Sequence, residues 1–149
     1  MKYQNFPTAS LTRRLAALLY DALVVLAIYI LIGGLFVTAL SKLQGSSELL
    51  RLSPAMSLTL LFSFAFLYCH HSWRRGGQTI GMKAWRLRLV TLDDQPLRLS
   101  HSMLRVGTGF FSLVLGGLGF WWALFDKQQR SWHDMASLSR VVYLPKEIH

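Results

Sequence analysis

The sequence predicts an α-helical integral membrane protein with two transmembrane helices, a third apolar helical segment that spans or re-enters, and a small β pairing on the cytoplasmic face. Three observations carry this. Apolar runs fill residues 15–40, 55–69 and 103–125, 52% of the chain is hydrophobic against 15% charged, and basic residues flank the runs. A soluble core of this size does not need so many apolar side chains, and 149 residues make one domain, 1–149. The net charge of +9 sits beside the apolar runs, so anionic lipid headgroups are its expected partner and nucleic acid is not. Cys69 is the only cysteine, which excludes an intramolecular disulfide and a cysteine-based metal framework.

The first run, Leu15 to Leu40, has 26 residues. That is about 39 Å of helix against about 30 Å of hydrocarbon. It follows the basic doublet Arg13-Arg14 and is too long for a signal peptide, so it reads as an uncleaved anchor. A span begun at Leu15 places Asp21 about 9 Å inside, where an ionised carboxylate needs a partner or water. A span shifted to Ala22 through Leu40 leaves Asp21 among the headgroups instead. Before the run, Thr8, Ser10 and Thr12 offer N-caps. Gly33 and Gly34 are expected to admit a neighbouring helix. A polar connection, residues 41–53 with a turn-prone Gly45-Ser46-Ser47, leads to Pro54, which suits the first turn of a second helix.

That second run, Ala55 to Cys69, extends through Leu49 to Leu52 at one end and to Trp73 at the other. His70, His71, Trp73, Arg74 and Arg75 form the aromatic and basic border of a membrane surface. Adjacent histidines diverge by about 100° on a helix, so no metal site is expected from them with Cys69. The loop 70–101 that follows is basic and is expected in the cytoplasm. Its Gly76-Gly77-Gln78-Thr79-Ile80-Gly81 lacks the P-loop pattern. Trp85, Leu87 and Leu89 alternate with Arg86 and Arg88, a strand with an apolar and a basic face, and Asp93-Asp94-Gln95-Pro96 ends it as a turn. Leu138 to Leu144 is also strand-like, and the two strands satisfy their backbones most economically by pairing.

Between those strands lies the third run, Met103 to Phe125, 23 residues with Arg105 near its start. If it spans, the strands end on opposite sides of the membrane. With the N-terminus inside, a re-entrant run gives 14 basic residues inside and 2 outside, whereas a spanning one gives 10 and 6. Gly116, Gly117 and Gly119 sit where a helical hairpin would turn, so re-entry is favoured and the tail, 126–149, is expected in the cytoplasm. Trp121 and Trp122 then lie near an interface.

Arg14 with Asp21, Gly77-Gln78-Thr79 with Gly81 before a basic strand, Gly119-Phe120-x-Trp122 with Phe125-Asp126, and Trp132-His133-Asp134 occur in this order. That pattern resembles the RDD family of bacterial membrane proteins from about Arg13 to Val142. The resemblance implies a multi-pass protein of the bacterial cell inner membrane. It implies that the naming arginine and aspartates are Arg14, Asp21 and Asp134, with Asp126 a second candidate for the later acid. For this family, transport of unidentified ligands is proposed, and cation/proton exchange for some members. The chain departs from the family at Leu138, where a glycine is usual before the last strand, and at Met135, where a basic residue is common.

Arg14 and Asp21 share a helix face but stand about 10 Å apart along the axis, too far to pair. Asp21 is therefore expected to find a cation elsewhere, among Arg130, His133, Arg105 and Arg140. Two functions follow. One is movement of a small solute, or exchange of cations for protons, by a homo-oligomer in which Asp21 alternates between proton and cation. The other is an accessory or scaffolding membrane protein. Its Arg14, Asp21 and Asp134 staple the first helix to the tail, and its basic inner face, Arg74, Arg75, Lys83, Arg86 and Arg88, docks a membrane-protein partner or anionic lipid. No nucleophile with a base and no metal set is apparent, so neither an enzyme nor a cofactor is expected.

Overall fold

The computed structural model describes residues 3–45, 51–93 and 95–145. The first apolar run forms one rod, Leu11–Leu43, made of α1 (Leu11–Ile28), a π-helical stretch (Tyr29–Gly33) and α2 (Gly34–Leu43). Of its most apolar window only 11% is buried, so this is not the core helix of a soluble protein. Ser10 occupies the N-cap position without a side-chain cap bond, its hydroxyl meeting Thr12 instead. A Cβ on Gly34 would meet nothing within 4 Å, and one on Gly33 only Tyr29 of its own helix. The second apolar run does pack beside this stretch, Phe64 standing edge-on to Tyr29, but, contrary to expectation, among the described residues none of its atoms comes within 4 Å of a Cβ built at either glycine.

The second run forms α3 (Pro54–Gly76), with Ser53 capping Met56 N–H and Pro54 opening the first turn. It does not extend back through Leu52, because residues 51–53 are not helical, Ser53 before Pro54 is extended, and proline fixes the boundary. Leu49 and Leu50, like Ser46 and Ser47 of the expected turn and Asp94 of the next, lie outside the described residues. A short α4 (Ile80–Ala84) leads into β1 (Leu87–Thr91). The third run starts earlier than expected, as α5 (Leu99–Val114). It then turns through 107° into α6 (Leu118–Trp121), which continues as a 3-10 turn to Leu124. Gly116 and Gly117 make that corner at φ values of 71° and 80°, backbone that other residues adopt only with strain.

After α7 (Trp132–Ala136), β2 (Ser139–Tyr143) pairs antiparallel with β1, Leu87 opposite Tyr143 and Thr91 opposite Ser139. The expected pairing therefore forms, but the strand is not apolar on one face and basic on the other. Leu87, Leu89 and Val141 pack with Ala9, Ala17, Trp73 and Met82 on one side. Val90, Val142 and Leu144 pack with Tyr3 and Phe6 on the other. The N-terminal segment covers that second face, Ala9 N–H donating to Val141 O and Tyr143 N–H to Pro7 O. Leu138, preceding β2, has φ 45°, which explains why a glycine suits that position.

Candidate functional site

The polar groups of the rod sit on its inward face at Arg14 and Asp21, and different parts of the chain enclose each. Around Asp21 the enclosure is the end of α3 and the start of α4. Tyr68 donates its hydroxyl to Oδ1 at 2.7 Å, Gly81 its amide to the same oxygen at 2.8 Å, and Thr79 its hydroxyl to Oδ2 at 2.5 Å. Thr79 also caps α4 through Met82 N–H, and Gln78 fixes the approach by bonding Leu87 O. Gly81 is needed because a Cβ there would collide with the carbonyl oxygen of Ala17 on α1. The Gly77-Gln78-Thr79-Ile80-Gly81 segment thus cradles one carboxylate. All its donors are neutral, and among the described residues no salt bridge includes Asp21. The expected cation is absent because three dipoles already meet the carboxylate's oxygens at hydrogen-bond distance.

The cations gather instead on Asp134. Arg14 Nη1 donates to its Oδ2 and Arg105 Nη1 to its Oδ1, both at 2.6 Å, with all three side chains buried. The remaining Arg14 nitrogens bond Ala9 O and Gln129 O, and Arg105 Nη1 also reaches Ser139 Oγ. Ser131 is the N-cap of α7 and donates both its amide and its hydroxyl to Asp134 Oδ2. Burial by itself would raise the Asp134 pKa, but Arg105, Arg14 and the Ser131 bond override it and hold the group well below the usual carboxylate range. His133, next in line, is pushed down to about 3, first by burial and then by Arg105. It is therefore neutral at pH 7, and its 3.9 Å approach to Asp134 is not an ion pair. Because Ser131 spends its one proton on Asp134, the 2.8 Å contact with His133 Nε2 is donated by the ring. Nδ1 is then the bare nitrogen, without a partner among the described residues.

Asp126 and Arg130 pair with each other, partly buried, and that pairing lowers the Asp126 pKa. Neither reaches Asp21 or Asp134 among the bonds described. A cavity of about 300 Å³ runs from Asp21 to the arginines and histidine that surround Asp134, which itself does not line it. Its walls include Phe62, Phe110, Leu113 and Phe120, and Arg14, Asp21, Arg105 and His133 all line it. Tyr68 carried no signal in the sequence, being one aromatic in an apolar run. Ser131 did, since Ser131-x-x-Asp134 is a capping-box spacing. Arg105 was visible as a charge in an apolar run, but its partner is Asp134, not Asp21.

A lipid-sized apolar rod with Arg14 and Asp21 buried on its inward face, joined to a polar tail, is the arrangement of an α-helical membrane protein. The model of the RDD family matches residues 8–137. The chain belongs to the RDD family of membrane proteins, with a candidate span, a mostly helical fold and a two-strand sheet. No curated protein and no solved structure matches it.

Proposed function

We propose that this protein moves a small solute across the bacterial inner membrane, coupled to protonation of Asp21, and that it does so as an oligomer. The carrying observation is that Asp21 lines a cavity between helices, held by three neutral donors and no cation. A carboxylate facing the cavity without a permanent counter-charge is available to a cationic or proton-bearing solute as the cavity opens. In this reading α1–α2 and α3 cross the membrane, while α5 and α6 re-enter. The paired β1 and β2 and the N-terminal segment bonded to β2 support a common side for both termini, the cytoplasm by the charge partition. No enzymatic step is assigned to these groups.

Asp21→Asn is the test. An amide keeps an acceptor for Tyr68 and Gly81, and the Thr79 hydroxyl can rotate to accept from it, so the fold is expected to survive. In proteoliposomes, proton flux driven by candidate solutes or cations should fall to background while membrane abundance stays within about twofold of wild type. Retained flux would end the assignment. Loss of the folded protein would favour the second reading, a scaffold in which these groups are structural, which the closed Arg14–Asp134–Arg105 cluster supports. A C-terminal reporter active only in the cytoplasm checks the topology: silence there would remove the re-entrant hairpin.

A further inference from the structure

A second concavity, of about 370 Å³, shares Trp73 with the charged cavity and lies between the end of α3, β1 and residues 95–97. Arg74, Arg75 and Arg88 line it, and among the described residues no aspartate or glutamate does. Among the described residues none of the three has a carboxylate partner. Arg88 is held in place, its guanidinium 4.0 Å from the Tyr3 ring centroid and its stem against Gly77, where an added Cβ would come within 3.3 Å of it. Trp73, also on the wall, has a buried indole N–H without an acceptor among the described residues. Three like charges around one hollow repel each other until an anion enters, and guanidinium groups, one of them held as Arg88 is, match phosphate oxygens.

We propose that this hollow binds the phosphate of an anionic membrane lipid. Pro54 to Trp73 is twenty residues of helix. At about 1.5 Å each these span roughly 30 Å, one hydrocarbon core, so the three arginines emerge at headgroup level. That level rests on the crossing of α3 proposed above, whereas the anion chemistry does not. The pocket also separates the arginines that bind from those that do not: Arg86 and Lys83, on the same basic loop, lie outside it.

The experiment is native mass spectrometry of the full chain in neutral detergent, titrated with phosphatidylglycerol or phosphatidylcholine. Wild type is expected to hold one phosphatidylglycerol at least tenfold more tightly than phosphatidylcholine. Arg88→Gln, and separately the double change Arg74→Gln with Arg75→Gln, should each reduce that preference by roughly fivefold per charge. Lys83→Gln with Arg86→Gln should leave it within about twofold. Equal binding of the two lipids, or an equal loss in the Lys83/Arg86 control, overturns the proposal. So does displacement of phosphatidylglycerol by an equal concentration of inorganic phosphate, which would make the hollow a site for a soluble phosphate.

Discussion

Asp134→Asn is expected to cost roughly 3–5 kcal/mol, because it leaves Arg14 and Arg105 buried side by side with no anion between them. Against a typical total of about 5–15 kcal/mol, that removes much of the folded population. Tryptophan fluorescence during thermal melting in detergent would show it as a large fall in Tm, and a variant melting with wild type would refute the cluster's role. Replacing all three groups by leucine should recover much of the loss, since an apolar substitute leaves no charge uncompensated. The cluster also predicts an acid limb. His133 titrates lower in the folded chain than its ordinary 6.5, so the unfolded state binds more protons and stability falls as pH drops below about 6.5. Asp134 adds a second loss as pH falls below the usual carboxylate range toward its own depressed value. The second limb should vanish in Asp134→Asn.

Gly81→Ala is expected to be the most damaging single methyl in the protein. The added carbon meets the Ala17 carbonyl oxygen, with the Asp21 carboxyl carbon 3.0 Å away, so backbone must move rather than a flexible side-chain end. Overpacking of this kind costs about 1–3 kcal/mol, and it would also pull the Gly81 amide off Asp21. Gly107→Ala is the control. Its Cβ meets nothing within 4 Å, and an exposed helical glycine gains up to about 1 kcal/mol on becoming alanine. If the two variants melt together, α1 and α4 are not in the close contact described.

The apolar runs, the glycine corner at 116–117 and the pairing of the two strands were legible because each follows from local pattern: span length, backbone freedom, and a strand's need for a partner. The need of Asp21 for a partner was legible too, but its nature was not. Hydrogen-bond donors such as Thr79 and Gly81 N–H leave no charge for a sequence reading to count, whereas arginines do. Asp134 took two of those, an arrangement that depends on α1, α5 and α7 meeting at one point. The covering of the second sheet face by Tyr3 and Phe6 was likewise hidden, since a polar dozen residues with two aromatics gives no periodic signal.

Arg14 and Asp134 are 120 residues apart in sequence, and the N-terminal segment is bonded to the last strand. A chain made from its N-terminus therefore carries Arg14 without its carboxylate while those residues are synthesised, on the order of 10 s at about 5–20 residues per second. During that interval the first helix is held by nothing in residues 126–145, and Arg14 waits for a residue made 120 positions later. Biogenesis thus has a defined closing event, in which residues 131–142 seat Asp134 between two arginines and cover the sheet. A ribosome stalled before that point would leave a nascent chain whose first helix is anchored at Asp21 by Tyr68, Thr79 and Gly81 but whose Arg14 and Arg105 still lack their carboxylate.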